Sequence, residues 1–388
     1  MTGGMIKKKP SLLWVYSGSL AKVLDKATWL ETAAELAGIG WDVTLVASGF
    51  PPEGVEASIR MVSIPWPKVY FVGYSLYHLQ TLRYLLKNHN RLDVILFHPP
   101  TLLFLFPMCL LGRLFHVKVP RLVLDFRTVP MTVATFRSKL QNHFFGFNIR
   151  VANYWVDGQT AITCRLAKAL GIPDRLLLGV WPSGVGLEQF EPAKAGRMWS
   201  TSESPIRLVY IGTVSEERHL LELCQAVHMV RREGLDVVLT VVGDGRQRAE
   251  LEIYAQEHDL GAIEIKPAVP YTIVPELLMM ADVGVLPFPN EPKFQVSSPI
   301  KLFEYLAAGM PVLATRIVCH TDVLGDTDCV FWADDATPVA LAIAIREVCA
   351  RKLELAEMGH KSAKIVQAWT WEESAKKLDK ALQASFHT

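Results

Sequence analysis

The residue types best suited to holding a charged ligand are gathered in SSPIKLFEYLAAGMPVLAT, Ser297 to Thr315. Ser298 and Pro299 read as an N-cap and first helical residue, the helix carries Lys301 and Glu304, and Gly309 and Pro311 stop it before an apolar strand. A helix start presents backbone N–H groups and a positive dipole end, which suits a diphosphate. Glu304, about one and a half turns inside, is placed to accept hydrogen bonds from a ribose diol; the alternative is a helix whose Lys and Glu are merely solvated. In YIGTVSEERHLLELCQAV a strand ends at Gly212, and a helix is expected from about Glu217 with Arg218 at its start. The dipole disfavours a cation there, so Arg218 makes sense as a phosphate clamp, or else as an exposed first-turn arginine. VVGDG at 241–245 adds a strand entering a tight turn at Gly243, a weaker signal.

Near the front, VYSGSLAK runs from a strand into a Gly and Ser loop where Gly18 lets backbone approach a phosphate. GxGxxG is absent, so a dinucleotide reading lacks its fingerprint. His98 follows VILF and Arg127 follows LVLDF, both at strand ends; a structural histidine and an Asp125–Arg127 pair are the plainer readings. Asp326-Thr327-Asp328 has metal-diphosphate spacing but lies in a polar loop, and no GxSxG, P-loop lysine or HExxH occurs, so no metal is expected.

The elements that must position these residues are legible as two alternating series. SLLWVY (11–16), VTLVA (43–47), VILF (94–97) and RLVLDF (121–126) read as buried parallel strands, with a first helix over roughly Lys22 to Gly38. After a polar, turn-rich stretch from Phe190 to Pro205, taken as the interdomain linker, come RLVYIG (207–212), VVLTVVG (237–243), IEI (263–265), DVGVLPF (282–288) and MPVLAT (310–315). The expected fold is therefore α/β, two tandem Rossmann-like doubly wound parallel-sheet domains, with ligands at the carboxyl ends of the strands. Val94 to Gly112 is uncharged, but Pro99, Pro100 and Pro107 argue for a strand, a Pro-rich loop and a buried helix rather than a membrane span.

The chain has 388 residues with 40 Lys plus Arg against 39 Asp plus Glu, so no charge excess calls for nucleic acid. Six cysteines without a CxxC pair are expected to be reduced thiols in a cytoplasmic protein. The basic N-terminus leads into a short apolar run broken by Ser17 and Gly18, which reads as a first strand and not as a signal peptide.

Taken together these segments resemble the GT-B glycosyltransferases, more narrowly the retaining family 4 type (glycosyl transferases group 1). PIKLFEYLAAGMPVLAT is similar to the donor signature E-Y-x-A-x-G-x-P-V-x-A-T, and WPSGVGLEQF (181–190) to the segment P-N-G-V-D-x-x-x-F that closes the first domain. YIGTVSEERHL resembles the G-R-L-x-x-E-K-G turn, VVGDG the G-x-G turn, ADVGVLPF the A-D-V-x-x-x-P strand, and WTWEESAKKLDKAL the last helix. The resemblance implies an acceptor-side domain over 1–195, a donor domain over 196–368, an interdomain cleft, and a segment 369–388 crossing back to the first domain. It implies that Glu304 binds the donor ribose and that Arg218 neutralises the diphosphate. Backbone from Ser298 through Pro299, Ile300, Lys301 and Leu302 completes the cradle, with the Gly212–Thr213 and Gly243 turns beside it. Lys266 faces the nucleobase, Gly18 the phosphates, and Arg127 and His98 the reaction centre.

Three departures accompany the likeness. The first glutamate of E-x7-E falls on Val296, so Ser297 and Ser298 are the residues left to contact the transferred sugar; the arginine of G-R-L is Thr213; and Arg127 replaces a histidine. The activity implied is metal-independent transfer of a sugar, with retention, from a UDP- or GDP-sugar to a hydroxyl of a glycan or lipid-linked acceptor. A non-catalytic nucleotide-sugar binder and an epimerase or phosphorylase of the same fold are the competing readings. Trp66, Tyr70, Phe71, Tyr74 and Tyr77, with Phe136, Arg137, Lys139, His143, Phe144, Phe145 and Arg150, read either as a membrane-lying surface or as an acceptor groove with core packing.

Overall fold

Buried β-branched and leucine runs form two parallel sheets in the computed structural model, which describes residues 9–20, 26–49, 57–65, 70–115, 119–129, 136–258 and 261–387. The first sheet contains β1 (Ser11–Val15), β2 (Asp42–Ser48), β3 (Arg60–Ile64), β4 (Val94–Phe97), β5 (Arg121–Phe126), β6 (Gly158–Ala161) and β7 (Leu177–Val180). Its order is β3-β2-β1-β4-β5-β6-β7, all parallel. The second contains β8 (Ile206–Ile211), β9 (Val237–Val242), β10 (Ile263–Lys266), β11 (Val283–Leu286), β12 (Val312–Thr315) and β13 (Val330–Ala333), in the order β10-β9-β8-β11-β12-β13. Both orders reverse direction beside their first strand, the doubly wound arrangement. Leu12, Trp14, Val43, Leu45, Val94 and Leu96 are in the first core, and Leu208, Tyr210, Val241, Val285, Leu313 and Phe331 in the second.

The chain divides into one unit over 1–183 with 371–388 and another over 184–370. The division expected at 195/196 falls inside the second unit, at the end of the helix Leu187–Gly196, and the expected one at 368/369 lies just before the helix Trp371–Ala384. That last helix packs on the first unit: Ala375, Leu378 and Leu382 enter its core, and Trp41 Nε1 donates to Asp379 Oδ1 at 2.8 Å.

Phe190 to Pro205 is not a loose linker. Phe190 and Arg197 are buried, and Ser200 donates through its backbone N–H and hydroxyl to the two oxygens of Asp282, at 3.0 and 2.6 Å. Val94 to Gly112 contains β4, a short 3-10 turn at Pro99–Thr101 and the start of the helix Leu102–Phe115, with Pro107 inside it. That helix is buried on one side only, at Leu102 and Leu105, and not throughout as expected, since Phe106, Leu110 and Leu114 are exposed. No helix among the described residues is long and apolar enough to cross a membrane.

Candidate functional site

In the second unit the predicted residues are built from the strand ends upward. β8 ends into Gly212 and β9 into Gly243, and the ladder runs past both: Gly212 N–H donates to Val242 C=O at 2.8 Å and Gly243 N–H to Lys266 C=O at 3.0 Å. Gly243 has φ +156°, and a Cβ there would stand 1.7 Å from the Gly212 carbonyl oxygen, so only glycine allows the two turns to touch. A Cβ on Gly212 would meet Lys301 Cε at 1.9 Å, which places the lysine side chain across the end of β8. Gly212, Gly243 and Lys301, 89 residues apart at most in the chain, therefore form one packed group at the point where the sheet order reverses between β8 and β11.

Lys301 and Glu304 lie on the helix Ile300–Ala307. Its N-cap is Pro299, in extended conformation with no side-chain cap, one residue later than the expected Ser298. Ser297 instead turns back, its hydroxyl donating to Phe294 C=O at 2.9 Å. The Leu302 side chain is buried and its amide donates to Pro299 C=O at 3.1 Å, so of the cradle the resemblance implies, Leu302 has its backbone donor occupied. Ile300 begins the helix, ahead of any carbonyl able to accept its amide within the first turn.

Glu304 is 7% exposed. Burial pushes its carboxyl above the ordinary range, opposed by the nearby Lys301 cation and a hydrogen bond from Tyr271. Tyr271, in a 3-10 turn just after β10, was not singled out from the sequence; nothing in VPYTI marks a tyrosine that reaches a carboxylate 33 residues on.

Arg218 does not sit on a helix that starts at Glu217. It ends a single 3-10 turn, Glu216–Arg218; His219 then takes a left-handed conformation at φ +52°, and the helix begins at Leu220. The guanidinium carbon lies over the rings of Phe288 at 4.6 Å and Phe294 at 5.0 Å, themselves stacked 4.9 Å apart. Glu217 pairs with Lys293 alongside. The loop after β8 is thus fastened to the loop after β11, and an aromatic platform orients the cation. Neither phenylalanine was named from the sequence, although Phe288 occupies a strand end and could have been.

Thr213 offers its carbonyl to Tyr210 Oη at 2.9 Å, and Lys266, closing β10, pairs with Glu264 at 3.0 Å. Asp328, of the DxD triplet, pairs with Arg351 and Lys361 at 2.7 and 2.8 Å. Among the described residues no group of three or more His, Cys, Asp or Glu stands ready for a metal ion.

In the first unit, Gly18 packs against the ring of Tyr16, which a Cβ would approach to 2.7 Å. His98 is held on both sides: Trp29 Nε1 donates to its Nε2 at 3.3 Å, and its Nδ1 lies 3.2 Å from Asp125 C=O. Because an indole N–H can only donate, Nε2 carries the lone pair and the ring is the neutral Nδ1–H tautomer. Asp125 and Arg127 do not pair. The fully buried Asp125 accepts from Thr160 Oγ1 at 2.7 Å and Trp181 Nε1 at 2.9 Å, while Arg127 donates to Trp181 C=O at 2.7 Å with its guanidinium 3.7 Å above that indole.

Comparison with known proteins bears on the second unit most directly. Residues 205–351 match the profile of the family described as glycosyl transferases group 1. The chain is 31% identical over 177 residues to the GDP-mannose-dependent alpha-(1-6)-phosphatidylinositol dimannoside mannosyltransferase of Mycobacterium tuberculosis, an alignment covering 44% of this chain and 43% of that protein. The match therefore spans less than half the length of that relative. Among solved structures, the sucrose-phosphate synthase of Thermosynechococcus elongatus superposes with a TM-score of 0.75 at 16% identity, covering 98% of this chain and all of the other. Anabaena Alr3699/HepE, solved in complex with UDP, gives 0.70 at 13%, covering 97% and 100%. In fold the chain is a GT-B protein, and its residues 205–351 are similar to the group 1 glycosyl transferases.

Proposed function

We propose that this protein is a retaining glycosyltransferase of the hexosyltransferase type, moving a sugar from a UDP- or GDP-sugar to a hydroxyl of a glycan or lipid-linked acceptor without a metal ion. The observation that carries the reading is the group at the β8/β11 reversal: Gly212, Gly243 and Lys301 in contact, Arg218 on its aromatic platform, and Glu304 buried one turn beyond Lys301. The GDP-mannose-dependent relative and the UDP-bound neighbour support a nucleotide-sugar donor.

In this reading Glu304 accepts hydrogen bonds from the ribose diol, and Lys266 lies toward the base. The backbone of Thr213, Ser298, Pro299 and Ile300 approaches the diphosphate, and Ser297 the sugar. The acceptor oxygen bonds to the anomeric carbon on the face from which the diphosphate leaves, and its proton passes to the departing phosphate. Negative charge grows on that phosphate, so Arg218 and Lys301, with the helix start, stabilise the transition state more than the ground state. They supply the positive charge that a divalent cation would otherwise bring. Arg127 and His98 act on the acceptor side of the reaction, with Gly18 close to the donor phosphates. The protein works in the cytoplasm, in peripheral contact with the membrane that carries a lipid-linked acceptor.

The buried Val296, standing where the family has a carboxylate, favours one second reading: a nucleotide-sugar binder without turnover. Titration with UDP, GDP, ADP and CMP beside Glu304→Ala tests the donor site. One nucleotide should bind, and the variant should bind it ten- to a hundredfold more weakly, the roughly 1.5 to 3 kcal/mol of a charge-assisted contact. No binding by any nucleotide overturns the reading. Binding without hydrolysis or transfer of any UDP- or GDP-hexose selects the non-catalytic one.

A further inference from the structure

The three helices that follow β3, β4 and β5 in the first unit share an exposure pattern that water does not explain. Tyr70–Asn88 buries Tyr77, His78, Thr81 and Leu85, yet exposes Val72, Leu76, Leu79 and Leu86 at helical spacing on its outer side, with Arg83, Lys87 and Arg91 continuing the ridge. Leu102–Phe115 exposes Phe106, Leu110 and Leu114, four residues apart. Phe136–Trp155 exposes His143, Phe147, Arg150 and Tyr154 along one line. Tyr154 and Leu114 are 77% and 63% exposed, values that leave most of each apolar side chain in water.

These ridges lie on one side of the sheet. From β3 the chain runs to β4, β5 and β6 in one direction across the sheet, and right-handed crossovers place every connecting helix of such a run on the same face. The middle helix packs against both others, with Phe106 stacked on Trp155 at 4.2 Å and Phe104 on His78 at 4.2 Å.

The charge of this region is as lopsided as its polarity. Residues 57–156 contain twelve Lys and Arg and two acids, Asp93 and Asp125, in a chain whose net charge is only +1. Both acids are engaged inward: Asp93 accepts from the backbone N–H and hydroxyl of the buried Ser11, both at 3.0 Å, and Asp125 is fully buried. Of the aromatic residues that read either as a membrane-lying surface or as groove and core packing, Tyr77 is in the core, fully buried and donating to Tyr16 C=O at 2.8 Å, and Tyr74 donates to Pro100 C=O at 2.8 Å. Trp66 lies outside the described residues, as do the side chains of Tyr70, Phe71, Phe136, Arg137, Lys139 and Phe144. The exposed apolar residues, six aliphatic ones together with Phe106, Phe147 and Tyr154, are not among those the sequence pattern pointed to.

We propose that the outer face of these three helices docks on an anionic lipid bilayer, the apolar ridges entering the headgroup region and Arg83, Lys87, Arg91 and Arg150 meeting lipid phosphates. Apolar rows interleaved with cations and cleared of acids match an interface that is greasy and negatively charged together. A protein partner or second copy would be served by the apolar rows without that one-signed charge. The inference deepens the lipid-linked acceptor reading but rests on this surface alone.

The test is flotation of the full chain with phosphatidylcholine vesicles, with and without phosphatidylglycerol. Binding should require the anionic lipid and fall with salt. R83Q/K87Q/R91Q should lower partitioning on the order of a hundredfold, about fivefold for each cation lost. L79D/L114D should also lose binding, while R232Q, an exposed cation of the second unit, should not. Nucleotide binding should persist in all of them, so failure here leaves the donor reading intact and the converse also holds. Absence from anionic vesicles, equal loss in R232Q, or lipid-free self-association that L79D/L114D abolishes would overturn the proposal.

Discussion

Glu304 shows how a single side chain is fixed by opposing demands. Its helix position was legible from Pro299, Gly309 and the apolar spacing between them, but its burial was not, because Tyr271 reaches it through the fold and not through the chain. Its raised pKa has a definite sign for stability. Burial penalises the ionised form, so the cost is absent at low pH and complete once pH has risen through the elevated value. Glu304→Gln removes that cost and also removes one acceptor for the ribose diol. The variant should unfold at a higher temperature than the parent at about pH 8, with the difference closing toward about pH 4, where the parent carboxyl is protonated too. It should bind nucleotide roughly tenfold more weakly. Thermal melts at the two pH values beside a binding titration check both halves; a lower midpoint at high pH would mean that Lys301 and Tyr271 outweigh burial.

Elements were legible where their residues are apolar on both faces. VILF and RLVLDF are strands over those same residues, because each is covered on both sides and reads as an uninterrupted apolar run. GQTA at β6 was missed because its buried Gln159 and Thr160 are held by side-chain hydrogen bonds, to Asn153 and Asp125, that local composition does not reveal. The polar stretch from Phe190 to Pro205 misled in the same way, and Arg197 is the reason. Its guanidinium, driven down to about 10 by burial, donates to the carbonyls of Leu278, Ala281 and Ala308 and so ties the ends of two helices to the segment that precedes β8. Arg197→Met keeps the apolar stem but leaves those carbonyls without their donor. The expected loss is about 3 kcal/mol, the scale of a broken buried polar network, seen as an earlier urea midpoint and faster amide exchange confined to the second unit. A loss below about 0.5 kcal/mol would show that water replaces the guanidinium.

Over the whole molecule the two units repeat the doubly wound arrangement, and each has an acid sensitivity of its own, at places the repeat does not relate. Each keeps a neutral histidine inside: His78 in the first, with Nδ1 2.8 Å from Tyr74 C=O, and His320 in the second, with Nδ1 2.8 Å from Thr315 C=O. Burial lowers both to about 4 from an ordinary 6.5. Below 6.5 the unfolded chain therefore takes up protons that the folded units refuse, and stability falls as pH drops from 6.5 toward 4. The loss is about 3 kcal/mol for each histidine over that window, at about 1.4 kcal/mol per pH unit. Neither histidine belongs to the candidate donor group, so the sensitivity belongs to the architecture and not to the chemistry. His320→Gln should flatten the pH dependence of the second unit's unfolding alone and His78→Gln that of the first, even if each substitution lowers stability at neutral pH. Denaturant titrations at a series of pH values, following the units separately by amide exchange, decide it: slopes unchanged in both variants would assign the acid loss to carboxylates, and Asp282, held below the usual carboxylate range by Arg207 and Ser200, would then be the group to test.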